Sequence, residues 1–580
     1  MIKNFAAKRP ALTRSIQTVQ NAWARMPLYP LELILVIVAF AGLWVALAKV
    51  AGGPIYSDEL WYIQVGLNDI SAFNVMNRYF HIYMQKLFME LAPSPLEGVR
   101  VYWGFLVACT TALVYLAARL LSARNSILHG LLAVAVLASF HLLADYSGVT
   151  VVDIPAMALL ALMLLLYVLA IRFPNTQPWI LVLLGVLLFL SLKTKETLIV
   201  AGILFFGFGF KSQGGYQLSK FVRAALRIGA GIGIGIMIFI LLNTLVLKDP
   251  LFGLLPSHFS AFANELRTTA GLNPEIGDWY TAYLLPTLPV PFLLYFASGL
   301  KSSERFSPAI RITWLIPLML ILFLSFSMIK GDWGIRARHL FPILPFFSVL
   351  APQFLDVTLP TTRRERIWFW LYAGLGAALI VVVHFGSKRL VHSMEGDITS
   401  FLAYVLFPIV FSLLLAVLML IKRYSVHTYI LPVVCIGLLL YPSIHSNLKS
   451  IFIARPVAIS FQQRIYPLAA FREHIQPSAE MRMLVPWNTA AAMGNPDLEQ
   501  DIMLSLFNLY FDASTERDNF HLVELNEDNL PSLWQQEYNY LLLTSWEWEL
   551  LQEQLSMDSI EQRYIVYSEP GEYFWLLAAR

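Results

Sequence analysis

The chain runs to 580 residues, 58% hydrophobic and 14% charged, with a mean hydropathy of +0.63 and a formal net charge of +3. A soluble domain carries roughly 25% charged residues, so these proportions exclude an ordinary soluble protein and place most of the chain in a bilayer. The small net charge gives no footing for nucleic acid. The two cysteines, Cys109 and Cys435, both lie inside apolar runs and argue against a disulfide framework or a cysteine-based metal site.

Residues 1–30 are basic and polar, with Lys3, Lys8, Arg9, Arg14 and Arg25. The apolar run after them is full length, which reads as a cytoplasmic tail and a retained first span, not a cleaved signal peptide. A spanning helix takes about 20 mostly apolar residues. Such runs fall at 31–50, 99–119, 126–143, 153–171, 179–192, 195–210, 226–247, 281–299, 311–329, 339–356, 367–386, 400–421 and 428–447. They predict a polytopic α-helical membrane protein of about 13 transmembrane helices over residues 31–447. The pair 179–192 and 195–210 is short and separated only by "LKTK", so a single broken helix is the competing reading.

Loop charge decides between them, because short cytoplasmic loops carry excess Lys and Arg. With the N-terminus inside and thirteen spans, the inside loops receive Arg119 and Arg124, then Arg172, then Lys211, Lys220, Arg223 and Arg227. Lys301, Arg305 and Arg311 follow, then "RRER" at 363–366, then Lys422 and Arg423. Merging the short pair would put the basic loops after it on the wrong side. Two spans there, with the C-terminus outside, satisfy the rule.

The outer side then holds 51–98, 144–152, "LKTK", 248–280, 330–338, 387–399 and everything beyond about 447. In "GGPIYSDELWYIQ", at 52–64, adjacent carboxylates Asp58 and Glu59 emerge just beyond the first span. Tyr56, Trp61 and Tyr62 bracket them, and Trp and Tyr favour membrane interfaces. Taken alone, such an acid is most simply a solvated loop charge. A second acid, Asp153, opens the fourth span in "VVDIPAMALL", where the plain reading is a carboxylate favoured by the helix dipole. Arg78, Lys86, Lys193, Lys195, Arg336, Arg338, Lys388 and Arg389 also fall outside, against the loop rule. They are either solvated and snorkelling side chains or a set that serves an anion such as a lipid phosphate.

Acids and cations on one face suit transfer of a glycosyl group from a lipid phosphate to a hydroxyl acceptor. One carboxylate takes the acceptor's proton, and the cations hold the departing phosphate. Asp58 and Asp153 are also oxygen ligands of the type that suits a divalent cation, magnesium or manganese, bridging that phosphate.

Composition changes after "YPSIHSN" at 441–447. Short β-type runs at 481–487, 538–545, 563–568 and 572–579 alternate with helical stretches such as 463–476 and 547–556. Residues 448–580 therefore read as a small α/β extracytoplasmic domain. They hold no glycine-rich phosphate loop and no metal-ligand spacing, which favours a scaffold or acceptor-docking role.

Several of these stretches resemble one family. "SDELWYI", "SPLEGVRVYWGFLVACTTALVYLAARLL", "VVDIPAMALLALMLLLYVLA", "SLKTKETLIVAG" and "RHLFPILPFFSVLAP" together span most of residues 30 to 360. In order and spacing they resemble the GT-C class of polyprenyl-phosphate-sugar glycosyltransferases, in the branch of bacterial protein mannosyltransferases and the lipid A aminoarabinose transferase. The resemblance implies Asp58 as first-loop catalytic carboxylate and general base, with Glu59 beside it and Asp153 as second acid. It implies Lys195 and Arg338 at the donor phosphate, with Arg336 and Lys86 as further cations there, and matches Arg100 to a family arginine. Relatives carry a proline-rich "PPL" segment before the second span. Here the stretch is "NRYFHIYMQKLFM", which offers Arg78, His81 and Lys86 instead. In the family the loop at 248–280 closes over the donor, and His258 is its candidate contact.

The expectation is an inverting transferase in the plasma (inner) membrane. It would take a monosaccharide from an undecaprenyl- or dolichyl-phosphate donor to a protein, lipid or glycan acceptor on the outer face. Two alternatives stand beside it. A glycan ligase or polymerase with a lipid-diphosphate-linked donor usually lacks the first-loop acidic pair. A transporter would use Asp153 and Lys195 as coupling residues, but the internal duplication typical of transporters is not evident here.

Overall fold

The computed structural model describes residues 30–54, 57–67, 78–122, 127–149, 151–173, 176–210, 215–254, parts of 312–320, 337–356, most of 440–493, 500–513 and 515–580. The helices used below are α1 (Pro30–Val50), α2 (Ser57–Leu67), α3 (Tyr79–Leu91), α4 (Pro95–Leu121), α5 (Ile127–Ala138), α6 (Asp153–Arg172), α7 (Gln177–Leu192), α8 (Leu218–Val246) and α9 (Pro456–Ala470). Among the described residues, α1, α4, α6 and α8 are long and apolar enough to cross a membrane. At 1.5 Å per residue the 20 residues of α6 reach about 30 Å, the thickness of the hydrocarbon core. The predicted spans at 281–299, 367–386 and 400–421 lie outside the described residues, so the thirteen-span count extends beyond them.

Three predicted spans take a different form, and one of them, 339–356, is only a seven-residue α-helix, Leu344–Leu350, between 3-10 turns at Ala337–Ile343 and Ala351–Asp356. The run at 126–143 breaks after α5, at Ser139 and Phe140, and a short helix, His141–Asp145, follows. The run at 195–210 adopts the tighter 3-10 geometry over the 14 residues Glu196–Gly209. With a rise of about 2 Å per residue it still reaches about 28 Å. It packs against α7, so "LKTK" is a reversal between two elements.

Local chemistry explains how the helices start and cross. Ser94 caps α4, its hydroxyl accepting from Glu97 N–H at 3.3 Å, and Pro95 occupies the first turn. α7 and α8 touch through glycine: a Cβ at Gly185 would lie 2.1 Å from Ile228 O, and one at Gly231 would lie 2.0 Å from Val182 O. Small residues of this kind let membrane helices approach closely. α1 and α4 are joined by a buried bidentate pair, with Arg119 Nε 2.8 Å from Glu32 Oε1 and Nη2 3.1 Å from Oε2. Tyr115 Oη also donates to that carboxylate at 2.7 Å.

The C-terminal part is a five-stranded mixed sheet, in the order β2-β1-β3-β5-β4. Its strands are β1 (Met483–Pro486), β2 (Phe520–Val523), β3 (Tyr540–Thr544), β4 (Tyr564–Ser568) and β5 (Phe574–Ala579). β1 runs parallel to β2 and β3, and β5 is antiparallel to β3 and β4. Four strands fall on the runs read from the sequence; β2 was not among them. The buried Glu547 carboxylate accepts from Thr544 N–H at 2.8 Å and Thr489 Oγ1–H at 2.9 Å, locking the turn after β3 to the one after β1. α9 fastens this unit to the bundle. A Cβ at Gly53 would lie 2.7 Å from the Phe461 ring. Arg100 donates from Nε to Gly52 O at 2.7 Å and lies 5.9 Å from the Phe461 ring centre.

Candidate functional site

Three segments distant in sequence meet at the end of the bundle where α1 stops. Gly148, with φ at +85°, leaves room for the 51–54 turn: a Cβ there would sit 2.0 Å from Gly52 N. Tyr62 and Val65 of α2 pack in one cluster with Val152, Tyr79, Ile82, Tyr83, Phe239 and Phe252. Phe80 N–H donates to Lys193 O at 3.1 Å, which brings in the "LKTK" turn. The acidic motif, the start of α6 and that turn are therefore one packed neighbourhood.

Asp153 lies buried in the first turn of α6, where the helix N-terminus favours negative charge. Lys195 donates from Nζ to Asp153 Oδ1. Arg338 comes from the segment Ala337–Ile343 and places Nε 3.9 Å from Oδ2. One carboxylate faces two cations, so the trio carries a net positive charge. A buried positive centre at a helix N-terminus suits an anion with several oxygens, such as a phosphate.

The two lysines of "LKTK" divide their work. Lys193 is buried, donates to Gly253 O at 2.6 Å and lies 5.4 Å from the Phe239 ring centre. It holds α7, α8 and the turn after α8 together, while Lys195 turns to Asp153. Lys86 donates to Gly66 O at 2.6 Å and pairs with Glu90 at 3.4 Å. It thereby closes the end of α2, and among the described residues no contact brings it to the Asp153 group. Arg100 ties the 51–54 turn to α9. Asp58 lies in the first turn of α2, but its side chain is outside the described residues; Glu59 beside it is buried. Arg336 and His258 also fall outside the described residues.

The sequence pointed less clearly to α3, whose buried face carries His81 and Gln85 among apolar residues. Arg78 donates to Tyr62 Oη and lies 5.7 Å from that ring centre. His81 Nδ1 is 3.3 Å from Tyr102 Oη. Burial, and then the nearby Arg78 charge, push the His81 imidazole down to about 3, so it stays neutral at physiological pH. Gln85, one turn on, is buried as well. The departure from the proline-rich pattern at 77–89 signalled that this helix differs, though not how.

A divalent cation fits poorly at Asp153, because that carboxylate is already engaged by Lys195 and faced by Arg338. Among the described residues no three His, Cys, Asp or Glu gather as a metal-ligand set. The expected role of Asp58 as a ligand lies with a side chain outside them.

Residues 79–241 match the family described as dolichyl-phosphate-mannose-protein mannosyltransferase. That stretch includes Asp153 and Lys195 and leaves out α2 and Arg338. In three dimensions the chain is similar to ArnT from Cupriavidus metallidurans bound to undecaprenyl phosphate, with a TM-score of 0.54 and 14% identity. The likeness covers 94% of this chain and 97% of that one. ArnT from the same organism in the apo state gives a TM-score of 0.52 at the same identity and coverage. The chain has the GT-C glycosyltransferase fold. At 14% identity the GT-C likeness is one of architecture. No curated protein matches the sequence.

Proposed function

We propose that the chain is an inverting glycosyltransferase that moves a monosaccharide from a polyprenyl-phosphate donor to a hydroxyl acceptor. It acts on the outer face of the plasma (inner) membrane, with the N-terminus cytoplasmic and the α/β unit outside. The observation that carries this reading is the buried Asp153–Lys195–Arg338 group, positive overall and packed beside the acidic helix α2. The lipid phosphate binds at Lys195 and Arg338, and Asp153 fixes Lys195 in place. Asp58 takes the acceptor's hydroxyl proton, and the freed oxygen attacks the anomeric carbon. The bond from that carbon to the phosphate oxygen breaks, and the phosphate leaves with the electron pair, its charge met by the two cations. One displacement with one base inverts the anomeric centre. The similarity in fold to an ArnT bound to undecaprenyl phosphate supports this choice of donor class.

The test is lipid mass spectrometry on protein purified in nanodiscs, followed by donor titration. Wild type is expected to carry a polyprenyl phosphate or its sugar adduct. Arg338→Gln and Lys195→Met each remove one positive charge and are expected to weaken donor binding roughly 10- to 100-fold, the strength of a charge-assisted hydrogen bond. Unchanged donor affinity in both variants would refute the phosphate site.

A further inference from the structure

Among the described residues beyond 470, the exposed large apolar side chains are Trp487, Trp546, Met557, Ile565 and Tyr573. The three aromatic ones stand at one end of the sheet. Trp487 follows β1 directly, and Trp546 lies two residues past β3. Thr544 pairs with Phe574, so Tyr573, just before β5, is at that same end. Ser545 N–H donates to Tyr573 O at 2.8 Å, and Thr544 N–H donates to Thr489 Oγ1 at 3.0 Å, which binds the three turns together. Tyr466 of α9 joins them by donating to Glu569, whose other oxygen accepts from Tyr573 N–H at 3.1 Å. These four rings are each between 40% and 52% exposed.

Exposed apolar clusters of this kind mark interaction sites, and ligands of open α/β sheets gather outside the carboxyl ends of strands. β1, β2, β3 and β4 all end here. Charge narrows the ligand. Between 483 and 562 Arg517 is the one Lys or Arg, against many acids, and the exposed Glu572 borders the rings. Anionic headgroups attract basic segments, so an acidic surface is poorly suited to a membrane. Ring faces carry partial negative charge and pack well on the C–H faces of a pyranose, while carboxylates accept from its hydroxyls.

We propose that Trp487, Trp546, Tyr573 and Tyr466 form a platform for neutral or amino sugars, and that the acceptor is therefore a saccharide-bearing molecule. The acceptor role rests on the transferase reading above; the binding itself does not. α9 connects platform and site: Phe461, against Gly53, lies five residues before Tyr466, about 7–8 Å along the helix. A sugar chain on the platform thus reaches α2 within a few units.

Full-length protein in nanodiscs is titrated with hexasaccharides of glucose, mannose, N-acetylglucosamine and glucosamine, with a sulfated hexasaccharide as the anionic probe. Binding of at least one neutral or amino-sugar probe in preference to the sulfated one is expected. Trp546→Ala and Tyr573→Ser should each weaken it about tenfold or more with polyprenyl-phosphate binding unchanged. Both positions are exposed, so folding is little affected. Failure of every neutral and amino-sugar probe to bind, preference for the sulfated one, or equal binding by both variants, overturns the platform. So does quenching of Trp546 emission (wild type minus Trp546→Phe) by headgroup-region brominated lipids, which would make the patch a membrane belt. Donor binding is read on the same samples: saccharide binding without donor binding sinks the transferase reading and leaves the platform standing.

Discussion

Asp153→Asn removes a buried carboxylate that faces the cations Lys195 and Arg338. At 3.9 Å and an effective dielectric of about 20, the attraction to Arg338 alone is about 4 kcal/mol. The attraction to Lys195 is of the same order, and mutual repulsion of the cations offsets part of the sum. Removing one partner of a buried pair costs about 3–5 kcal/mol in practice, which we take as the expected loss. Thermal unfolding in detergent, followed by fluorescence, should show a Tm lower by on the order of 5 °C. Adding Lys195→Met should restore more than half of the loss, because it removes the charge left stranded. Donor binding should weaken as well, because Lys195 loses the carboxylate that fixes it in place. A Tm within about 1 °C of wild type, or a double variant less stable than the single, would refute the ion-triad account.

Three further outcomes are expected. His81 is held neutral far below its unfolded value of about 6.5. Its contribution is thus full above that pH and lost as pH falls toward about 3, at about 1.4 kcal/mol per unit. His81→Gln should flatten the fall in Tm between about pH 6 and pH 4, and equal slopes would refute this. Glu32→Gln strands Arg119 between α1 and α4 and should cost about 3 kcal/mol or more, read as a lower Tm rescued in part by adding Arg119→Met. Gly148→Ala forces a left-handed backbone onto a residue whose Cβ would strike the 51–54 turn. It should cost about 2 kcal/mol and lower transfer, whereas Gly215→Ala, also at positive φ but in open space, should leave transfer intact.

How much of this was legible in the sequence depended on the range of the interactions. Apolar length marked α1, α4, α6 and α8, because a bilayer imposes a minimum run that few other structures need. The break at Ser139–Phe140 is marked only by one serine and the following His141 inside an otherwise apolar run, too weak a signal to end a span. β2, "FHLV", is four residues long with a histidine inside, too short and mixed for a pattern of alternation. Lys193 and Lys195 look equivalent in "LKTK", and only the packing of α8 and the Gly253 turn against one side of it separates their roles. The Glu32–Arg119 pair joins two residues far apart in sequence, each unremarkable where it stands. Arg100 was noted for its place in a motif, but its work, holding Gly52 and covering Phe461, required knowing where α9 lies.

The same geometry separates the two acids that the sequence ranked together. A general base must accept a proton and then give it up, and for that an oxygen lone pair has to face the acceptor. Asp153 has one oxygen bound by Lys195 and the other turned toward Arg338; a proton arriving there would displace a buried ion pair. On the proposed reaction Asp153 is a positioning residue for the cations, and the base falls to α2. Of its two carboxylates Glu59 is buried, and the proposal assigns the base to Asp58. Asp58→Asn should cut turnover by about 100-fold or more, with Tm and donor binding unchanged. Glu59→Gln should act mainly on Tm. Turnover surviving in Asp58→Asn and vanishing in Glu59→Gln at equal donor occupancy would reverse the assignment and place the reacting hydroxyl on the inner side of α2.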